Sequence, residues 1–238
     1  MSLINLQLEN QQIIHEYFKN LCCDDFTTPF LKGGQSNADT ALNQLNIERY
    51  ATKRNNVFPI SKRGSSYLSP YIRHGLLSLN EVWNAVDTYE YKDKSKFRDE
   101  LLWQEFSRHL YAIVGKKSSN YLNYKVEIPN LNINLYEGMK CISTIEEELE
   151  STGYMVNQTR MWYASHNSLR KGGNWNKYED YMYKHLIDGS RFANRLGWQW
   201  VMGSQTGKPY GFSKFQVEKR APELCNSCEL KNNCPIQE

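Results

Sequence analysis

The 238-residue sequence predicts a mainly α-helical fold in a single domain. Three observations carry that expectation. Apolar residues recur at spacings of three and four, most clearly in 96–114, where Phe97, Leu101, Leu102, Phe106, Leu110 and Ile113 form one stripe. Helix-starting and helix-stopping residues bracket such segments. Several cleanly alternating strand patterns, which a sheet would require, do not occur.

The elements follow in order. Residues 6–20 form a first amphipathic helix candidate. Ser36 with Asp39 reads as a capping start, after which Ala38, Leu42, Leu45 and Tyr50 fall at helical spacing. A basic loop, KRNNVFPISKRGSS, leads to Ser69–Pro70, an N-cap with proline at the first helical position. Ser78 and Glu81 make a capping box at the head of LNEVWNAVDTY. Beyond the 96–114 helix, residues 118–136 are rich in Asn and Tyr and read as irregular. A helix over 138–151 stops at Gly153, which can take the left-handed conformation past a C-terminus. Residues 155–169 follow, then Gly172–Gly173, then a helix over 176–187. The remainder, including LGWQW at 196–200, reads as loop-rich with short helices, and 225–238 is a cysteine-containing C-terminal segment.

Composition narrows the classes. Hydrophobic residues make up 40% and charged residues 23%, with a net charge of +3. No run reaches the roughly 18 apolar residues of a membrane span. The start MSLINLQLENQQIIHEY lacks a basic region followed by an apolar one, so a cytoplasmic placement is expected. The mild charge permits nucleic-acid contact without demanding it. The 16 Tyr, 9 Phe and 6 Trp suit a wet cleft as well as a core. Six cysteines without an export signal argue against a disulfide scaffold, and Cys22 and Cys23 read as small buried apolar residues.

The segment 155–169 carries a polar line. Met155, Val156, Met161, Trp162, Tyr163, Ala164 and Leu169 cover nearly every side, the mark of a buried helix. Asn157, Arg160 and Ala164 share one face. A buried guanidinium needs an anion, and Asp188 is available. Two readings stay open on periodicity alone: a solvated or salt-bridged structural arginine, or an Arg–Asp pair holding a polar heterocycle.

Four blocks resemble the helical FAD-binding half of the photolyase/cryptochrome family: YATKR with SSYLSPYIRHGLLS (50–54 and 65–78), ELLWQEF (100–106), TGYMVNQTRM (152–161) and LIDGSRFANRLGWQWVMGSQTG (186–207). Their order and spacing are those of the family, over most of residues 33–224. The resemblance implies a U-shaped FAD held among helices. On it, Tyr50 and the loop Ser65, Ser66, Leu68 and Ser69 embrace the pyrophosphate, where short hydroxyls and a helix start suit an anion. Arg54 and Lys62 or Arg63 either add charge there or form a solvated basic loop. Asn157, Arg160 and Asp188 surround the flavin ring, Asn194 faces flavin N5, and Glu179 lies near the cofactor. Trp198 matches the proximal member of an electron-transfer chain and Trp175 the next outward.

The resemblance also implies a lesion pocket. Glu100, Trp103, Asn157, Met161 and Trp200 match positions that line it, so a flipped pyrimidine dimer would stack on the indoles while Glu100 accepts hydrogen bonds from its edge. Departures point the other way. Gln104 and Gln158 stand where the family has arginines, which weakens expected phosphate anchorage, and Ser190 replaces the second acid of a D-x-D pair. The third tryptophan of the relay has no match, leaving Tyr121, Tyr124 or Tyr136 as substitutes. The α/β antenna domain of the family has no counterpart ahead of the helical region, which suggests a natural short protein dependent on a separate antenna or signalling partner.

Cys225, Cys228 and Cys234 have the spacing of a metal half-site that Cys141 would complete. The position of Cys141 resembles the arrangement in the iron–sulfur branch of the family, and iron–sulfur is preferred narrowly to zinc, against a disordered tail of free thiols. Two functions remain: a light-driven lyase acting on damaged single-stranded or duplex DNA, or a cryptochrome-like flavoprotein that signals through a protein partner.

Overall fold

The computed structural model describes residues 3–21, 30–127 and 137–237. Its regular structure is helical, with no strand among the described residues, as the periodicity predicts. Cys22, Cys23 and Tyr136 lie outside the described residues. No helix among those described is long and apolar enough to cross a membrane.

The first half of the chain contributes α1 (Asn10–Ile13), α2 (Gln35–Asn43), α3 (Tyr50–Lys53), α4 (Ser69–Arg73), α5 (Leu79–Asn84) and α6 (Tyr91–Val114). The α5 capping box forms as read: Ser78 Oγ accepts from the Glu81 N–H while Glu81 accepts from the Ser78 N–H. The other two starts shift. Helix α2 begins at Gln35, so Ser36 lies inside it, and Leu45 and Tyr50 fall beyond its end. Leu68, not Ser69, is the N-cap of α4. A cap from elsewhere holds α3: the Asp93 carboxylate on α6 accepts from the Arg49 N–H at 2.7 Å and the Ala51 N–H at 2.8 Å. The N-terminal candidate is helical from Asn10 through a π turn, with no buried residue.

The second half contributes α7 (Lys140–Thr152), α8 (Asn157–Ser165), α9 (Trp175–His185), α10 (Arg191–Val201), α11 (Lys214–Arg220) and α12 (Pro222–Asn226). Gly153 ends α7 at φ 67°, and a Cβ there would meet Ile187 Cγ2 at 2.8 Å, so glycine is required twice over. Segment LGWQW is not a loop but the last turn and a half of α10. Gly197 lowers the intrinsic helix tendency by about 1 kcal/mol, yet burying Leu196, Trp198, Gln199 and Val201 outweighs that penalty.

Two apolar cores result. The smaller joins Ile47, Leu68, Tyr71, Val82, Phe97 and Leu101. The larger gathers Ile145, Leu149, Met155, Trp162, Trp198 and Phe212. Polar ties join them: Arg73 Nε donates to Gly189 O at 2.8 Å, and His74 Nε2 lies 2.8 Å from Ile187 O. The tail folds back onto the larger core. Ile236 is 1% exposed and its carbonyl accepts from the Lys214 N–H at 2.7 Å, which rules out a loose end over these residues.

Candidate functional site

Helices α8 and α10 pack together and leave a cavity of about 90 Å³ between them. Asn157, Arg160, Met161 and Ala164 reach it from α8, and Asn194, Gly197 and Trp198 from α10, with Met182 closing one side. The spacing of three and four thus places Asn157, Arg160 and Ala164 on one working face, as expected. Glycine at 197 keeps the space open, since a Cβ there would meet nothing within 4 Å.

Arg160 is the charged centre. Its Nη2 donates to both oxygens of Asp188, at 2.9 and 2.8 Å, and its Nε donates to Met155 O at 2.8 Å. Burial works against the guanidinium, but Asp188 and Tyr154 outweigh it and hold the group above its ordinary range. The chain reaches Asp188 by a close turn: a Cβ at Gly189 would lie 2.5 Å from Tyr183 O. Ser190 then caps α10, accepting from the Ala193 N–H at 3.3 Å. Its own N–H donates to Asn194 Oδ1 at 2.7 Å. Because a backbone N–H can only donate, the Asn194 amide oxygen is taken and its nitrogen is the group left for the cavity. Asn194 is therefore both a cap partner and a cavity residue.

Tyr154 links this centre to the serine loop, a role the sequence pattern did not signal. Its hydroxyl lies 3.2 Å from Ser65 Oγ and 3.4 Å from Ser69 Oγ, and the Arg160 guanidinium sits 5.6 Å from its ring centroid. Ser66 Oγ accepts from the Leu68 N–H at 3.5 Å. Tyr50 stands on the other core against Phe97, its phenol pushed up by burial and by Glu100. Of the basic residues nearby, Arg63 is committed to Glu148 and Arg54 to Glu100 at 2.9 Å.

Other expected residues, Trp198 apart, lie outside the cavity. Glu179 is fully buried, with Oε2 accepting from Arg191 at 2.7 Å and Arg195 Nε at 2.8 Å. Burial lifts its carboxyl above the ordinary range against the pull of both arginines. Trp175 is buried beside this cluster, and Trp198 donates its Nε1–H to Ser168. Trp103 and Trp200, from the packed helices α6 and α10, expose 59% and 42% of their surface. Glu100 is held by Arg54 and by Lys96 at 3.1 Å. Gln158 is buried and its amide donates to Tyr210 at 2.6 Å.

The four cysteines expected as ligands do converge. Cys141 on α7 and Cys225, Cys228 and Cys234 of the tail line one apolar cavity of about 20 Å³, all as free thiols. Burial, then the neighbouring thiols, pushes Cys141 up to about 12. No three His, Cys, Asp or Glu side chains among the described residues stand grouped as a ready ligand set.

The cavity of this helical domain thus combines the Arg160–Asp188 ion pair, an amide donor and an indole wall. The profile of the FAD-binding domain of DNA photolyase matches residues 97–224, more than half the chain, and the chain belongs to that family. A deoxyribodipyrimidine photo-lyase of Vibrio cholerae is 30% identical over 169 residues, covering 64% of this chain and 36% of the relative. A class III photolyase structure from Agrobacterium tumefaciens superposes with TM-score 0.70 at 24% identity, covering 81% of this chain and 44% of the other. A Synechocystis cryptochrome gives 0.71 at 21%, covering 84% and 45%. The chain spans less than half the length of each of these relatives.

Proposed function

We propose that this chain seats FAD against Arg160, Asp188 and Asn194 and, acting in the cytoplasm, uses it under light to split a pyrimidine dimer flipped out of damaged DNA. The observation that carries the reading is the pair of half-exposed indoles, Trp103 and Trp200, on helices that pack together beside the cavity. Indoles left in water on adjoining helices suit a base that stacks on them, and such stacking is worth about 1–3 kcal/mol per base. Flipping costs a few kcal/mol and is cheapest at a damaged pair.

When bound, the excited reduced flavin supplies one electron that opens the cyclobutane ring and is then returned. The chain's residues position that chemistry. Tyr50, Ser65, Ser66, Leu68 and Ser69 take the pyrophosphate, and the Asn194 amide nitrogen faces the ring. Asn157 and Met161 would line the lesion pocket, Asn157 contacting the flavin ring as well. Glu100 reads the base edge after releasing one of its two cations. Trp198, with Trp175 beyond it, resupplies electrons to the flavin, and Glu179 braces that side of the site.

The test is illumination of purified protein with dimer-containing single-stranded and duplex DNA. Dimers should disappear only under blue or near-UV light. Unchanged lesions alongside normal flavin reduction would instead select a cryptochrome-like protein with a separate signalling or antenna partner, the reading favoured by the engagement of Glu100 with Arg54 and Lys96.

For the convergent thiols the proposal is a metal centre on Cys141, Cys225, Cys228 and Cys234, iron–sulfur in preference to zinc. Four free thiols around one apolar cavity are a suitable donor set for either. Metal analysis of protein purified without oxygen decides it: iron with sulfide, lost in Cys225→Ser, is expected, and metal-free protein retires the idea.

A further inference from the structure

Trp198 on α10 is 1% exposed and lines the cavity between α8 and α10. Its Nε1–H donates to Ser168 Oγ at 2.5 Å, and Ser168 is fully buried. Ser168 comes from a π turn, His166–Arg170, that follows directly on α8. Such wide turns are uncommon and recur at functional sites. This one is anchored on both sides. Asn167 Nδ2 donates to Tyr163 O at 3.0 Å, the Gly173 N–H donates to Asn167 O at 3.1 Å, and Arg170 Nη2 donates to Phe212 O at 2.9 Å. The hydroxyl therefore meets the indole from a fixed frame.

The groups around that indole are poor bases. Among the described residues lining the cavity, none is a carboxylate or an imidazole. The Asp188 carboxylate has both oxygens engaged by Arg160. Tyr163 stands edge-on to Trp198 with ring centroids 5.8 Å apart, and burial pushes its phenol up, so it offers no phenolate. His166, two residues before Ser168, is pushed down to about 3 by burial. The serine hydroxyl accepts the indole N–H as a neutral oxygen.

We propose that Ser168 is a positioning residue for electron transfer, holding the Trp198 indole proton in place while charge passes through the ring. This rests on the reading of Trp198 as the residue that donates to the flavin. An indole that has lost an electron is positively charged, and a charged donor makes a hydrogen bond roughly twice as strong as a neutral one. Exclusion of water strengthens the contact further. Ser168 therefore stabilises the oxidised ring more than the neutral ring, and the electron leaves more readily. The steps balance. Trp198 gives one electron to the light-excited oxidised flavin, which is the oxidant. No N–H bond breaks, so the indole keeps its proton on the Ser168 hydrogen bond and carries one positive charge. An electron from Trp175 refills the ring, and an added thiolate returns that electron to Trp175, leaving a thiyl radical.

The experiment uses the full chain loaded with FAD, flashed with blue light under anaerobic conditions with a thiol reductant. Transient absorption reads the protonation state of the earliest indole radical, and flavin absorbance reads the rate of photoreduction. The wild-type radical should be the protonated cation, formed at the same rate in heavy water. Ser168→Ala should slow photoreduction severalfold at unchanged flavin content, and Ser168→Cys, whose sulfur is a weak acceptor, should fall between. In flavin-free protein the Trp198 indole proton should exchange slowly with solvent and shift upfield in its nuclear magnetic resonance in Ser168→Ala. A lower melting temperature alone would leave the radical spectrum untouched. A wild-type radical that is already neutral when first seen overturns the proposal, even if Ser168→Ala does not fold. Photoreduction at the wild-type rate in folded Ser168→Ala overturns it as well. Photoreduction that survives in Trp198→Phe overturns the underlying reading instead, which separates the two failures.

Discussion

Arg160 Nη2 lies 2.9 and 2.8 Å from the two carboxylate oxygens of Asp188, twenty-eight residues further along the chain. This contact ties α8 to the turn that leads into α10, so the two walls of the cavity are set by one ion pair. Asp188 keeps only 3% of its side-chain surface exposed, so the guanidinium takes the place that water holds around an exposed carboxylate.

Removing one member should be costly. Arg160→Met leaves a buried carboxylate uncompensated and is expected to lower folding stability by about 3–5 kcal/mol. Adding Asp188→Leu should recover much of that loss, because two apolar side chains suit the interior. Flavin uptake should stay lost in the double variant. Urea denaturation and flavin absorbance after dialysis measure the two effects separately.

Gly197→Ala should move stability and binding in opposite directions. The new methyl meets no atom within 4 Å, and alanine favours a helix interior over glycine by about 1 kcal/mol, so the flavin-free protein should melt higher. That methyl also projects into the cavity, so FAD affinity should fall. Differential scanning fluorimetry and flavin titration check the pair of signs.

Trp103→Ala separates lesion contact from packing. The indole is 59% exposed, so the change should alter stability by no more than about 0.5 kcal/mol. Affinity for a dimer-containing oligonucleotide should drop by about 1–3 kcal/mol if a base stacks there. Fluorescence anisotropy with damaged and undamaged strands reads the difference.

Tyr181 carries a pH signature. Its hydrogen bond to Glu150 raises the phenol from 10.0 to about 12. A raised folded value means that the contribution to stability is complete below pH 10 and is lost as pH climbs through about 12. Ultraviolet titration should show Tyr181 among the late phenolates, with the buried Tyr50, Tyr154 and Tyr163, and Glu150→Gln should bring its midpoint back down.

Much of the cavity was legible in the residues themselves. Asn157, Arg160 and Ala164 declare a common face through helical spacing, and a buried arginine demands an acid such as Asp188. Gly153 and the Ser78–Glu81 box announce helix ends because their chemistry is local. Failures were of another kind. LGWQW reads as a loop because glycine and paired indoles are poor helix signals, while burial of Leu196 and Trp198 decides otherwise. That Gln158 faces inward could not be read either, since its partner Tyr210 lies fifty-two residues away. The stripe on α6 divides, with Phe97 and Leu101 buried and Leu102, Phe106 and Ile113 largely exposed.

The amino-acid order alone therefore determined the helical class, the polar face of α8 and the close spacing of Cys225, Cys228 and Cys234, since each depends on neighbours within a few turns. Only the folded molecule decided that Tyr154 bridges the serine loop to Arg160 and that Asn194 offers its nitrogen. Those outcomes depend on which distant side chain fills each space and which charge it brings, and periodicity along one helix carries no record of either.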